Sequence, residues 1–371
     1  MVCYLRWVGK SLRSKLEVFP EADIFCAIDF LPEQFRDRLK NSKIRTSFIQ
    51  RVPFARHLHR YLLALMPLAV EQHDLSSYDL VISNSHAVAK GCLTGSNQLH
   101  ICYCYTPIRY AWDLQFQYLS ESNLLWGLRS VIARWTLHKI RIWDVRTPFS
   151  VDAFIACSRY IARRIRKIYR RDSVVIYPNV DVENFQIGQQ DGDFYVTASR
   201  IVPYKHIPII INAFKQMPSR KLIVIGAGPL LKECIATAPS NVQVLGYQPD
   251  DVLHDHLMRA RAFIFAAEED FGIAPVEAQA CGTPVIAFGR GGATETVIDG
   301  ETGLFFYEQT SEAIVKALDE FELCRSKFDR KRIRQNADRF STKRFCFEFS
   351  EFVFQQWEAH CHRCSEKDEL P

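Results

Sequence analysis

The 371-residue sequence has few of the features that mark fibrous, disordered or membrane-spanning proteins. Its 16 glycines and 16 prolines follow no fixed period, which excludes collagen-like and low-complexity classes. Its longest apolar runs, such as residues 62–70, contain a proline and fall far short of the roughly 20 residues that cross a bilayer. We therefore expect any membrane contact to be peripheral.

The sequence also lacks a cysteine framework, although it contains twelve cysteines. Cys102 and Cys104 stand two apart and Cys361 and Cys364 form a single C-x-x-C, without a second pair at metal-ligand spacing. The first residues do not resemble a secretory leader. We therefore expect reduced thiols, a cytoplasmic location, no metal site and no bound cofactor.

Charge is unevenly distributed along the chain. Residues 1–180 carry 26 Lys/Arg against 14 Asp/Glu, whereas residues 181–371 carry 21 against 28. The basic half favours an anionic partner. Within it, residues 159–171 place apolar side chains at helical spacing among Lys and Arg, which fits an ordinary amphipathic helix or a membrane-surface contact. No recognition motif accompanies the charge, so we do not expect nucleic-acid binding.

Short β-branched runs, the first at residues 78–83 and later ones at 221–226 and 262–266, alternate with helical patterns along most of the chain, which predicts parallel sheets with helices on both faces. The length favours two domains. Turn-forming residues at 178–193 precede a new strand and indicate the boundary. We therefore predict an α/β protein with two doubly wound Rossmann-like domains facing a cleft. They cover residues 1–180 and 181–340, and an aromatic helix with a tail covers residues 341–371.

The strongest functional motif spans residues 269–277, with the sequence Glu-Asp-Phe-Gly-Ile-Ala-Pro-Val-Glu after a predicted strand. Ligands of open α/β sheets bind at the carboxyl ends of strands. The N–H groups of a helix that begins near Ala274 can receive phosphate oxygens, and Gly272 allows close backbone approach. Glu269 and Glu277 can then meet different hydroxyls of one ligand.

Two cations, Arg200 and Lys205, also follow a predicted strand. Cations at a strand end can neutralise a diphosphate that gains charge as a glycosidic bond breaks. Gly226 and Gly228, together with the glycine loop 289–295, are weaker signals because many strand-to-helix turns need glycine. They support the site by sharing its sheet edge.

At these residues the sequence resembles the GT4 family of retaining glycosyltransferases, and it is most similar to the bacterial O-antigen mannosyltransferase branch. The resemblance covers about residues 19–352 and includes the stretches 83–91, 107–113 and 202–205. It implies the GT-B fold, a C-terminal helix that crosses back to the first domain, and transfer of a hexose from a nucleotide-sugar, with GDP-mannose as the first donor to consider. The implied acceptor is a polysaccharide or lipid-linked glycan, which leaves open a peripheral contact with the inner face of a membrane.

The resemblance also implies roles for the candidate residues. Arg200 and Lys205 would hold the donor diphosphate in place of a divalent cation, Glu277 the ribose, and Glu269 the sugar hydroxyls. Three neighbouring loop residues would complete the sugar contact: Phe271, Gly272 and Ile273. Residues 191–193 match the D-x-D of metal-dependent transferases, but we expect them to form a turn.

Two features depart from the family pattern. Residues 1–13 offer only Gly9 where related sequences have a full first strand and a glycine-pair loop, so this strand and loop look truncated. Tyr105 replaces a histidine that precedes Thr-Pro in related sequences, which leaves Tyr105 and His86 as acceptor-side candidates. Three hypotheses therefore remain open: a glycosyltransferase, a nucleotide-sugar epimerase, and a non-catalytic nucleotide-sugar-binding remnant.

Overall fold

The computed structural model describes residues 2–3, 9–31, 36, 42–53, 62–189 and 192–368. The chain divides into two compact units. The first unit comprises Met1–Tyr177 and Phe345–Pro371, and the second comprises Pro178–Arg344.

The ends of the second unit are tied to each other by hydrogen bonds, which explains where the chain divides. The Val180 N–H donates to the Phe340 carbonyl at 2.8 Å, and the Arg344 guanidinium donates to the Pro178 carbonyl at 3.3 Å. Residues 178–180 therefore lie in the second unit and not in the first. The final helix, Thr342–Asp368, begins in the second unit and continues in the first.

The described strands of the first unit form one parallel sheet. They are β1 (Val2–Cys3), β2 (Ile24–Cys26), β3 (Ile44–Thr46), β4 (Leu80–Ser85), β5 (Leu99–Cys104), β6 (Ala153–Ala156) and β7 (Val174–Val175). Their spatial order is β3-β2-β1-β4-β5-β6-β7. The winding reverses between β1 and β4, as in a doubly wound Rossmann-like sheet. The described helices here are Gly9–Val18, Met66–Glu71, Gln115–Glu121, Leu128–Arg146, Arg159–Tyr169 and most of Thr342–Asp368.

The second unit contains six strands in its described part, and they also form a parallel sheet. They are β8 (Phe194–Ala198), β9 (Lys221–Ile225), β10 (Val242–Gly246), β11 (Phe263–Phe265), β12 (Val285–Phe288) and β13 (Gly303–Phe306). The order β10-β9-β8-β11-β12-β13 repeats the doubly wound pattern, with the reversal between β8 and β11. The helices are Ile207–Lys215, Leu231–Thr237, Asp250–Arg259, Ile273–Ala280, Ala293–Thr296, Ser311–Cys324 and Arg330–Asp338. The prediction of two Rossmann-like domains is confirmed.

The aromatic final helix packs into the core of the first unit through one face. The Phe345 ring lies 5.9 Å from the Tyr103 ring and stacks on Phe349 at 5.5 Å. Phe345 and Phe349 are four residues apart and fully buried, as helical spacing requires. Phe347 and Phe354 are exposed. The aromatic residues of this helix are therefore divided between a buried face and an exposed face.

A polar cap and buried apolar residues explain where the helix Arg159–Tyr169 begins and how it packs. The Ser158 hydroxyl accepts from the Ile161 N–H at 3.1 Å and begins the helix Arg159–Tyr169. Ile161 and Ile165 are buried on the sheet side of that helix. No helix in the described part of the chain is long and apolar enough to cross a membrane.

Candidate functional site

Two candidate residues of the second unit contact each other at the point where its sheet reverses. Lys205 lies on the loop after β8 and Glu269 on the loop after β11, and these strands are neighbours. The Lys205 ammonium donates a hydrogen bond to the Glu269 carboxylate. Their side chains are 11% and 20% exposed, so both can still be reached from solvent. Ligands of doubly wound sheets bind at this reversal.

Aromatic rings hold the Lys205 ammonium from other sides. Its Nζ lies 5.6 Å from the Phe265 ring centroid and 5.7 Å from that of Tyr204. Both distances suit a cation–π contact. An ammonium has three donor N–H groups, so an anionic ligand can share or replace Glu269 as its partner. The loop therefore presents a positioned cation.

The helix Ile273–Ala280 begins on the loop that carries Glu269. Its N-terminal cap is Gly272, with φ +91°, and its first N–H groups have no partner within the helix. Glu277 lies in this helix and Arg200 on the loop after β8, and both are partly buried. Arg200, Lys205, Glu269 and Glu277 thus belong to segments that leave two adjacent strands.

The Phe271 side chain is buried in the second unit. Its ring is 4% exposed and packs against Phe340 with centroids 5.3 Å apart. The ring therefore belongs to the core, and a contact of Phe271 with a sugar, which stays a prediction, would use its backbone. Ile273, at the start of the helix, is 40% exposed.

Gly226 and Gly228 allow the loop after β9 to lie against the loop after β8. A Cβ at Gly226 would lie 1.8 Å from the Ser199 carbonyl oxygen, and one at Gly228 would lie 2.1 Å from that of Ile201. The Ile201 N–H also donates to the Ala227 carbonyl at 3.0 Å. These glycines therefore support the backbone that carries Arg200 and Lys205.

The glycine loop after β12 supports the Glu269 loop in the same way. The Gly292 N–H donates to the Glu269 carbonyl at 2.7 Å. A Cβ at Gly292 would lie 2.2 Å from the Cα of Phe271. The structure thereby gives the loop 289–295 a specific task, which its sequence alone did not reveal.

The acceptor-side candidates of the first unit also lie together. His86 follows β4 and Tyr105 follows β5, and these strands pair along their whole length. The Tyr105 N–H donates to the Ser85 carbonyl at 2.8 Å. The first strand, β1, lies between β2 and β4 with two described residues, and residues 4–8, which follow it in the stretch expected to be truncated, lie outside the described part.

A buried lysine that the sequence analysis missed lies beside Tyr105. The Lys15 Nζ donates to the Tyr105 hydroxyl at 3.3 Å and lies 3.9 Å from the Tyr103 ring centroid. Lys15 has no exposed surface. It is on the helix Gly9–Val18 next to Leu16, and that local pattern does not distinguish a buried lysine from an exposed one.

A buried ion pair lies deeper in the first unit and was also missed. The Lys90 ammonium pairs with the Asp144 carboxylate, and their side chains are 1% and 0% exposed. Asp144 also accepts from Trp112 Nε1 at 2.7 Å and from the Tyr169 hydroxyl at 3.1 Å. The carboxylate is therefore satisfied by three partners, as a buried charge requires.

Burial makes two histidines of the first unit poor bases. It lowers the pKa of His86 to about 4 and that of His100 to about 4. The His100 ring bonds the Ser83 hydroxyl at 2.8 Å and the Ser150 carbonyl at 2.9 Å. His86 is therefore neutral at physiological pH.

Other sequence signals have structural explanations. Asp191 lies outside the described residues, and Asp193 pairs with Lys221 at the surface. Within the described ranges, no group of three or more His, Cys, Asp and Glu side chains could hold a metal ion. Arg164 of the basic segment donates to Thr106 at 2.9 Å and pairs with Asp113. The helix Arg159–Tyr169 therefore packs one face on the sheet and leaves basic residues such as Arg163 and Arg166 exposed.

Comparisons with known proteins connect this geometry to a family. Residues 180–340, almost the whole second unit, match the family model described as glycosyl transferases group 1. HepE of Anabaena, solved with UDP and glucose, has a TM-score of 0.66 at 19% identity, with 95% of this chain and 98% of that chain covered. The chain thus has the GT-B fold, and its second unit carries the domain that the family model describes.

Curated relatives match only part of their length. An uncharacterized glycosyltransferase of Methanocaldococcus jannaschii is 29% identical over 202 residues, which is 53% of this chain and 56% of that protein. A GDP-mannose-dependent alpha-(1-6)-phosphatidylinositol monomannoside mannosyltransferase of Mycolicibacterium smegmatis is 28% identical over 235 residues, 52% of this chain and 61% of that protein. The chain therefore spans little more than half the length of these relatives.

Proposed function

We propose that the protein is a glycosyltransferase that moves a hexose from a nucleotide-sugar to a hydroxyl of an acceptor, with retention of configuration. The observation that carries the proposal is the Lys205–Glu269 contact at the reversal of the second sheet. It lies beside a helix N-terminus, within the part that matches the family model. A cation and free N–H groups at one sheet edge suit a diphosphate.

In this proposal the second unit holds the donor. Lys205 and Arg200 neutralise the diphosphate as the bond between it and the sugar breaks, and the helix N–H groups donate hydrogen bonds to its oxygens. Glu277 binds the ribose. Glu269 positions Lys205 before the donor binds, and it positions the sugar hydroxyls once the donor is bound. It does not act as a nucleophile. The acceptor hydroxyl forms its new bond on the face that the diphosphate leaves.

The first unit provides the acceptor side. Tyr105 and His86 lie at the edge where β4 and β5 end, and buried Lys15 orients the Tyr105 hydroxyl. Burial lowers the pKa of His86 to about 4, so His86 contacts the acceptor as a neutral hydrogen-bonding group, and the proton of the acceptor hydroxyl leaves with the diphosphate.

We propose GDP-mannose as donor and a polysaccharide or lipid-linked glycan as acceptor. The support is the resemblance to mannosyltransferases and the name of the Mycolicibacterium relative, which describes GDP-mannose dependence for that protein. Because the Anabaena structure contains UDP and glucose, UDP-sugars are the first alternative donors to test.

A turnover assay tests the proposal. The purified chain is given GDP-mannose, UDP-glucose or UDP-galactose with a lipid-linked glycan acceptor, and products are separated by chromatography and their anomeric configuration is read by NMR. We expect a glycosylated acceptor with the donor's configuration. Conversion of the free donor into its epimer, or binding of every donor without any product, would overturn the proposal.

A further inference from the structure

The helix Leu128–Arg146 of the first unit presents apolar side chains to solvent. Trp126, just before it, is 90% exposed, Leu128 is 76% exposed and Trp135 is 60% exposed. Five further exposed apolar residues continue the row along the helix and beyond its end: Val131, Ile132, Ile142, Val145 and Phe149. We call these eight residues the apolar stripe.

The stripe follows helical spacing and lies opposite a second, buried face. The helix buries Leu137 and Ile140 against its own unit, together with Asp144. Residues 128, 131, 135, 142 and 145 recur at three, four and seven positions, so they line one side of a helix about 28 Å long, and Phe149 follows in the turn Thr147–Ser150. A helix with apolar residues on two faces normally has both faces covered. Here one face is covered by the protein and the other is not.

The exposed charges of the segment that carries the stripe have one sign. Between residues 122 and 150 the sequence contains a single acidic residue, Asp144, which is buried in its pair with Lys90. Arg129, Lys139 and Arg146 are exposed among the apolar side chains. Exposed Trp with Lys and Arg, and without exposed acids, is typical of surfaces that insert into the headgroup region of anionic bilayers.

We propose that the apolar stripe is a membrane-docking surface that inserts its tryptophans into the interface of a bilayer containing anionic lipids. A second copy of the chain fits the stripe less well. A self-complementary interface would bring the same basic residues of two copies together without acids to pair them. The inference does not depend on the proposed transfer, because it concerns a surface and not the reaction.

Vesicle flotation of the full chain tests this inference without any donor or acceptor. We expect binding to phosphatidylcholine vesicles with about one third phosphatidylglycerol, and at least about tenfold weaker binding to phosphatidylcholine alone. The double variant Trp126→Gln/Trp135→Gln should lose at least about tenfold in affinity for the anionic vesicles. Arg129→Gln/Lys139→Gln should lose affinity for anionic vesicles and keep the weak binding to neutral ones.

The matched control is Tyr247→Gln/Leu323→Gln, which replaces two apolar residues of the second unit that are 76% and 90% exposed. It should bind vesicles as the unchanged protein does. Equal binding by the tryptophan variant, or no flotation of the unchanged chain, would overturn the inference. The unchanged chain could also form a dimer in sedimentation velocity and fail to bind vesicles. If the tryptophan variant is then a monomer, the stripe is a protein interface instead.

Discussion

The two units place their candidate residues at similar sheet edges but hold them by different means. In the second unit, backbone lies against backbone: Gly228 and Gly292 allow loops to approach so closely that a Cβ would lie about 2 Å from a neighbouring chain atom. In the first unit a side chain supports the candidate residue, because buried Lys15 donates a hydrogen bond to the Tyr105 hydroxyl. A backbone-held site restricts which residues can build it, whereas a side-chain-held site can be rebuilt with others. The family model matches the second unit.

The largest expected effect concerns buried charge in the first unit. Lys90→Met leaves Asp144 charged and buried, and should lower the free energy of unfolding by about 3–5 kcal/mol. The matched control is Lys221→Met in the second unit, where the Lys–Asp pair is 64% and 70% exposed and the loss should stay below about 1 kcal/mol. All six tryptophans belong to the first unit, so their fluorescence during urea unfolding reports the unfolding of that unit. Circular dichroism measures the unfolding of the control variant, whose substitution lies in the second unit. Equal losses would contradict the contrast between the units.

The next largest effect concerns catalysis in the second unit. Lys205→Ala should lower kcat by about 10²–10³-fold, because it removes a cation that stabilises the departing diphosphate. Lys221→Met, a lysine of the same unit away from the site, should leave kcat unchanged. Steady-state rates with saturating donor make the comparison. If Lys205→Ala lowers kcat by tenfold or less, another residue stabilises the charge of the departing diphosphate.

A pH effect on stability should arise in the first unit. The pKa of buried His100 is about 4, below the ordinary value of 6.5, so the unfolded state binds a proton first as the pH falls. The stability from a neutral His100 is complete above pH 6.5 and is lost as the pH falls towards 4. Between pH 7 and pH 5 this amounts to about 2 kcal/mol, measured by urea unfolding with tryptophan fluorescence. His100→Gln should show a shallower decline, and an unchanged slope would disprove the assignment.

The smallest effect on binding is expected at Tyr105. Tyr105→His should raise the transfer rate and leave donor affinity within about threefold, because it restores an interaction of the transition state and not of the bound donor. Tyr105→Phe, which removes only the hydroxyl bonded to Lys15, is the control and should not raise the rate. A fall in donor affinity with Tyr105→His would show that the first unit also holds the donor.

Much of the second unit could be predicted because its strands are β-branched runs followed by turn residues. Predicted strands such as 221–226 and 262–266 lie within one residue of Lys221–Ile225 and Phe263–Phe265. Ile24–Cys26 and Ile44–Thr46 were missed, because three residues are too short for a period to be recognised.

The partners of the candidate residues could not be predicted in the same way. The Lys205–Glu269 and Lys90–Asp144 contacts join residues 64 and 54 positions apart, and only the order of the strands brings them together. The sequence did place Lys205 and Glu269 at strand ends, but it gave no reason to bury Lys90. The apolar stripe was missed because a helix with two apolar faces resembles an ordinary core helix in sequence.

The central claim is that the second unit holds the donor, and titration calorimetry with GDP and UDP tests it most directly. Lys205→Ala and Glu277→Ala should each weaken nucleotide or nucleotide-sugar binding by about 1.5–3 kcal/mol, roughly ten- to a hundredfold. Lys221→Met in the same unit and Tyr105→Phe in the other should bind as the unchanged protein does. Unchanged affinity in both site variants, or a loss with Tyr105→Phe alone, would contradict the account.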